Sequence, residues 1–266
     1  MILIYAIRLF VNNPSISAIG LLLSATPILL LMGYFFIVGT ARTSRNLWLL
    51  LGTTSLGFAI VFIERLRSNA DDTTLIMAAV ALVGIWAYVF WYSKFDRSSS
   101  KIQLHTPLPA FSLTDLHGNS INAASFAGKP SLLIFYRGNW CPLCMVQIKE
   151  VASDYQELVS KGVRIALISP QSEKHTQSLA NKFNVPFEYY IDQDNQAAKS
   201  LGIFAQNGLP FGLQVFGYQS DTVMPTVIIT DSENIVQYVD ITDNYRVRPE
   251  PQTFQKLLND IDSRPS

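Results

Sequence analysis

Cys141 and Cys144 are the only cysteines in the 266-residue chain, and they stand three positions apart. They lie in Trp140-Cys141-Pro142-Leu143-Cys144, after an apolar run that ends in Tyr136-Arg137-Gly138. Two cysteines at this spacing at a helix start can come within disulfide distance. Free backbone N–H groups and the helix dipole favour an anion there, which lowers a thiol pKa and raises the reactive thiolate fraction. The spacing therefore points to a redox pair. One thiolate attacks, and the other resolves the mixed disulfide. Read from this position alone, Cys141 is the exposed attacker, Cys144 is the shielded resolver, and Trp140 shields one side. Other readings are weaker. A zinc site needs further ligands, and His105, His117 and His175 form no ligand-like pair. A haem attachment needs His after the second Cys, where Met145 stands. A pair of inert buried thiols remains as the plain structural alternative.

The elements around the pair read as an α/β layer. Residues 131–136 are continuously apolar, as in a strand covered on both faces. Residues 138–141 form the turn out of it. Pro142 suits a first helical turn, and apolar spacing continues a helix to about residue 159. Further strands are expected at 163–169, 187–191, 227–229 and 235–239, and helices at 171–183, 193–201 and 251–261. A short extended segment at 109–113 pairs back through 120–121. Residues 202–222 are glycine-rich and aromatic without a period, which suggests an insertion or functional loop. Strand–helix alternation closed by a hairpin and a helix indicates a layered α/β domain.

The amino-terminal third is of another kind. Three uncharged apolar runs, 16–40, 47–63 and 75–91, approach the ~20 residues of a spanning helix. Trp48, Trp86, Trp91 and Tyr92 lie near run ends, as interfacial aromatics do. Pro27 falls inside the first run, which membrane helices tolerate. Residues 1–13 read as an interfacial segment, with a partial fourth span as the alternative. The expected organisation is a membrane anchor over 1–93, a polar linker over 94–106 and a globular domain over 107–266. The chain is thus expected to be multi-pass, as in a bacterial inner membrane. Arg8, Arg65 and Arg67 fall on one side; Arg42, Arg45, Lys94, Arg97 and Lys101 fall on the other. That balance leans toward a cytoplasmic globular domain. Zero formal net charge gives no global field for nucleic acid, and no nucleic-acid partner is expected.

From about residue 107 to 263 the chain resembles the thioredoxin superfamily, in its redoxin or AhpC/TSA branch that holds the peroxiredoxins. The resemblance rests on Pro109-Ala110-Phe111-Ser112-Leu113 with Asp115 and Gly118, and on the stretch from Phe135 to Cys144. It also rests on Met224-Pro225-Thr226 and on Tyr245-Arg246-Val247-Arg248-Pro249-Glu250-Pro251. It implies a thioredoxin-like α/β fold, a central mixed sheet flanked by helices, here preceded by an all-α transmembrane segment of about three helices. It implies a cis proline at Pro225, with the Met224 backbone open to an extended partner chain. Two positions depart from the peroxiredoxin pattern Pro-x-x-x-Thr-x-x-Cys. With its Cys on Cys144, the Thr falls on Cys141 and the Pro on Arg137. The arginine that those enzymes place near a later strand has no evident counterpart, and Arg137 or Arg246 is the substitute considered. Phe135 falls where thioredoxins carry a buried acid.

The resulting expectation is a membrane-anchored thiol oxidoreductase using Cys141 and Cys144, supported by Trp140, Pro142, Pro225 and Arg137. It needs no metal or organic cofactor. Its partners would be a lipid bilayer, a thioredoxin- or glutathione-like thiol reductant, and a disulfide protein or a hydroperoxide. Thiol–disulfide exchange led by Cys141 is placed ahead of peroxide reduction led by Cys144, because both peroxiredoxin signature positions are changed. A non-catalytic membrane-bound scaffold is the alternative from another class.

Overall fold

A computed structural model gives the fold of residues 1–38, 42–183, 185–210, 212–249, 252–254 and 256–257. The chain divides into two compact units, Met1–Lys94 and Phe95–Ser266.

The first unit is all helical: α1 (Ile2–Asn12), α2 (Ile16–Ile37), α3 (Trp48–Leu66) and α4 (Asp72–Ala87). A π-helical turn, Tyr88–Tyr92, extends α4. Three of these helices, Ile16–Phe35, Trp48–Leu66 and Asp72–Tyr92, are long and apolar enough to cross a membrane. The end of the first expected run, residues 39 and 40, lies outside the described residues. Ser15 and Asp71 start α2 and α4 by accepting from the backbone N–H groups of Ala18 and Thr74. Small residues let α2 and α3 approach closely. A Cβ on Gly57 would stand 2.6 Å from the Gly20 carbonyl oxygen and the Ser24 nitrogen. Large apolar side chains such as Leu30, Leu49 and Val83 point outward on this unit, as on a lipid-facing surface. Glu64, at the end of α3, is buried and accepts from Arg67 and Asn69.

The second unit holds a seven-stranded sheet. Its strands are β1 (Ser112–Asp115), β2 (Ser120–Asn122), β3 (Ser131–Phe135), β4 (Arg164–Ser169), β5 (Glu188–Ile191), β8 (Thr226–Thr230) and β9 (Val236–Asp240). They are ordered β2-β1-β5-β4-β3-β8-β9. β3, β4 and β5 run parallel, and β8 pairs antiparallel to β3 with Thr226 opposite Phe135. Every residue of β3 and β8 is buried, the signature of central strands covered on both faces. The helices are α5 (Pro142–Ser153), α6 (Tyr155–Ser160), α7 (Glu173–Lys182) and α8 (Gln196–Leu201). The single helix expected from 142 to 159 breaks at Asp154. There Ser153 Oγ bonds the Glu150 carbonyl and the Asp154 carboxylate, local bonds that compete with the helical ladder.

One further expectation is revised, that of the linker. Residues 202–222, expected as an insertion or functional loop, are closed by a short strand pair. β6 (Phe204–Ala205) pairs with β7 (Thr222–Val223), and Leu209 N–H donates to Ser220 O beyond that pair. Phe211 lies outside the described residues. The expected linker 94–106 is built into the second unit from Phe95 onward. Phe95 N–H donates to Asp243 O at 2.7 Å, Lys101 N–H to Leu201 O at 3.0 Å, and Ile102 is buried in the core. Its polar composition concealed two apolar anchors and a run of backbone donors that find acceptors on the domain. Of the expected closing helix, residues 252–254 and 256–257 are helical, and Phe254 is buried. Residue 251 and the part beyond 257 lie outside the described residues, as does Glu250.

Candidate active site

The turn between β3 and α5 carries the cysteines. Gly138 has φ +142°, and a Cβ there would meet the Trp140 ring nitrogen at 2.8 Å, so this position requires glycine. Cys141 N–H closes the turn onto Gly138 O at 3.1 Å. Pro142 is the first helical residue of α5, where its missing N–H costs nothing. Gln171 clamps the turn from outside α5. Its Oε1 accepts from Asn139 N–H at 2.9 Å, and its Nε2 donates to Asn139 Oδ1 and to the Tyr136 hydroxyl. Asn139 in turn donates to His175 O at 2.7 Å.

Both cysteines are free thiols, 2% exposed at Cys141 and fully enclosed at Cys144. The expectation of an exposed Cys141 is therefore corrected. The turn that carries it is pinned on several sides. Arg137 lies over the rings of Trp140 (4.6 Å) and Tyr245 (5.5 Å) and donates to Gly208 O, while Thr222 Oγ1 donates to Arg137 O.

The residue facing the pair is Arg248. Its Nη2 stands 3.5 Å from Cys144 Sγ. Its Nε donates to Tyr245 O at 3.0 Å, and its Nη1 to the buried Gln147 Oε1, one turn after Cys144. Neither Arg137 nor Arg246 is the arginine at the sulfur. Arg246 is fully buried in the same closing segment, and Arg137 belongs to the aromatic stack.

This asymmetry separates the two thiols. Burial opposes ionisation of Cys144, but the Cys141 hydrogen bond, the Arg248 guanidinium and the Arg137 backbone amide outweigh it and hold Cys144 down to about 5. Cys141 is pushed well above its ordinary range by its hydrogen bond to Cys144, then by burial and by the charge on Cys144. Helix position alone favours an anion at either residue; the adjacent guanidinium selects Cys144. The thiolate of Cys144 is thus the majority form above about pH 5, and it is lost as the pH falls through that value. The ultraviolet thiolate absorbance of the reduced protein should show this midpoint, and Cys144→Ser should remove it. A midpoint in the ordinary thiol range would contradict the asymmetry.

Pro225 sits between β7 and β8, beside the strand partner of Phe135, but its surroundings differ from the expectation. Among the described residues no peptide bond is cis, so Met224–Pro225 is trans. Met224 N–H already donates to Ile203 O at 2.7 Å, and Pro225 O accepts from Arg97 Nη2 at 2.7 Å. The backbone that was to receive an extended partner chain is occupied from within. Of the residues singled out from sequence, Trp140, Cys141, Pro142 and Cys144 share one turn, with Arg137 against Trp140. Arg248, Gln147 and Gln171 were missed as contributors. Arg248 and Gln147 had only weak signals: membership of the Tyr245–Pro251 pattern, and a position one helical turn after Cys144. Gln171 had none, being read as the start of a surface helix. Among the described residues no group of three or more His, Cys, Asp or Glu is arranged to hold a metal.

Comparison with known proteins agrees with this frame. A chloroplastic peroxiredoxin Q from Populus jackii is 27% identical over 95 residues, 36% of this chain and 45% of the relative. The thiol-disulfide oxidoreductase ResA of Bacillus cereus is 28% identical over 122 residues, 46% of this chain and 68% of the relative. The chain spans about half the length of the peroxiredoxin Q proteins that it matches. In structure, reduced Prx3 in complex with H2O2 from Vibrio vulnificus superposes with a TM-score of 0.50 at 19% identity. That alignment covers 59% of this chain and 99% of the other, and it shows a shared thioredoxin-like fold. Residues 104–239, from the segment entering the sheet through most of β9, match the AhpC/TSA family, and the chain belongs to that family.

Proposed function

We propose that the protein is a thiol-dependent oxidoreductase that reduces hydroperoxides, with Cys144 as the attacking thiolate and Cys141 as the resolving thiol. The observation that carries this reading is the Arg248 guanidinium 3.5 Å from the enclosed Cys144 sulfur. A buried thiolate needs such a partner, and the same cation can stabilise charge on the departing oxygen. In the first step a Cys144 S–O bond forms as the peroxide O–O bond breaks. The sulfur is oxidised, and the leaving oxygen departs as water or alcohol after taking the peroxide proton. In the second step Cys141 attacks the Cys144 sulfenic sulfur. The S–O bond breaks as the S–S bond forms, and the oxygen leaves as water, carrying the Cys141 thiol proton and one proton from solvent. An external dithiol then returns the disulfide to two thiols.

Enclosure of both sulfurs favours a small oxidant over a folded disulfide protein as first reactant. The occupied backbone at Met224 and Pro225 argues the same way. The three long apolar helices would hold the protein in a membrane as a multi-pass anchor. The balance of Arg and Lys between the intervening segments leans toward a cytoplasmic redox unit.

Stopped-flow mixing of the reduced full-length protein in detergent tests this reading, with hydrogen peroxide in one arm and a disulfide protein substrate in the other. Tryptophan fluorescence and thiol loss are followed together. Fast oxidation by peroxide, consuming two thiols per chain, is the expected result. Absence of that phase alongside rapid disulfide exchange would return the assignment to exchange led by Cys141.

A further inference from the structure

Arg97 stands five residues after the last residue of the Asp72–Tyr92 helix, in the segment whose composition suggested a linker. Each of its three guanidinium nitrogens donates a hydrogen bond. Nε donates to Thr242 O at 3.1 Å, Nη1 to Thr226 Oγ1 at 2.9 Å and Nη2 to Pro225 O at 2.7 Å. It also lies over the Phe95 ring at 5.3 Å. These acceptors sit at the start of β8, which pairs with β3, and just after β9, which pairs with β8. A small cavity of about 10 Å3, room for one water, is lined by Arg97, Gln147, Thr226, Asp240 and Arg248. The two arginines therefore face one space, with Arg248 turned from it toward Cys144.

We propose that Arg97 is a positioning residue for the redox site: it ties Pro225, Thr226 and Thr242 together and lines the same small cavity as Asp240 and Arg248, so that Arg248 stays directed at the Cys144 sulfur. The proposal rests on the reading of Cys144 as the reacting thiolate. Its physical basis is competition. Asp240 attracts both guanidiniums, while the two guanidiniums repel each other. Asp243 also acts on Arg97, and Cys141, Arg137 and Tyr136 act on or beside Cys144. Asp240 is held in place by accepting from the Thr242 N–H and hydroxyl. Without Arg97, the carboxylate has one cation fewer, and the space it leaves lies next to Arg248. Arg248 then moves toward Asp240 and away from the sulfur. The segment entering the second unit thus becomes part of the chemistry.

The test uses the reduced full-length protein in detergent, reading the Cys144 thiolate midpoint and the rate with hydrogen peroxide. Arg97→Gln is expected to raise the midpoint by roughly one pH unit and to slow the reaction near the midpoint by about tenfold. Arg97→Lys keeps the charge and should stay near wild type. Asp240→Asn, placed in the Arg97→Gln background, should bring the midpoint back, because the competing carboxylate is gone. A wild-type midpoint in folded Arg97→Gln, or no recovery with Asp240→Asn, overturns the proposal. Should Arg97→Gln not fold, Asp240→Asn alone decides: a lowered midpoint supports the competition, and an unchanged one overturns it. The midpoint needs no peroxide. A wild-type protein that titrates near 5 but ignores peroxide would end the peroxide reading while the Arg97 test still stands.

Discussion

Replacing Cys144 by serine removes the fast reaction with hydrogen peroxide, lowering the rate by about 10³-fold or more, as loss of the attacking group does in covalent catalysis. Cys141→Ser behaves differently. The first oxidation persists at near the wild-type rate, but the product stops at a sulfenic acid on Cys144, since the resolving thiol is absent. A sulfenic-acid trap followed by mass measurement should label Cys144 in Cys141→Ser and label little in wild type, where the disulfide closes. The contrast between the variants carries the assignment. Both residues are buried, and serine is close in volume, so each variant keeps the packing around the turn. If Cys141→Ser loses the fast phase while Cys144→Ser keeps it, the order of attack is reversed and the role of Arg248 falls with it.

The sequence showed the part of this site that local rules govern. Leu132-Leu133-Ile134-Phe135 announced a buried central strand because only a strand covered on both faces tolerates unbroken apolarity. Gly138 and Pro142 marked the turn and the helix start through their backbone preferences, and the structure places both there. The long apolar runs before residue 92 were equally plain, because helices long and apolar enough to cross a membrane show no polar face in the sequence. What stayed hidden depends on tertiary approach. Arg248 is 104 residues from Cys144 in the chain, and its local pattern matches that of a solvated arginine. Without it, the helix terminus offers its field to both thiols, and the outermost one, Cys141, looks like the attacker. The segment from residue 95 was misread for a similar reason. Serines and charges signal solvent only if their neighbours supply no acceptors, and here Gly202, Leu201, Pro225 and Thr242 all do. The expected receptive backbone at Met224-Pro225 failed because the Met224 N–H donor and the Pro225 carbonyl acceptor are already engaged within the domain.

Arg248→Met is expected to raise the Cys144 thiolate midpoint by roughly two pH units, since an adjacent opposite charge typically moves a buried acid by ~1–3. The rate with hydrogen peroxide should fall by about 10²-fold, the usual scale for removing one group that stabilises developing charge. Burial explains the size of the effect. Cys144 is fully enclosed, so its thiolate has no water to replace the lost cation, and the thiol form takes over. Methionine approximates the length and volume of the arginine stem, which keeps the variant packed while removing the charge. Arg248→Lys separates charge from geometry. A lysine carries the charge, but it cannot span Tyr245 O, Gln147 Oε1 and Cys144 Sγ with one fork. The midpoint in Arg248→Lys should therefore stay closer to wild type than in Arg248→Met, while the rate drops further than the midpoint alone explains. Equal midpoints in wild type and Arg248→Met would mean that helix position, not the guanidinium, ionises the pair. The distinction between the two thiols would then vanish, because Cys141 and Cys144 share the same helix start.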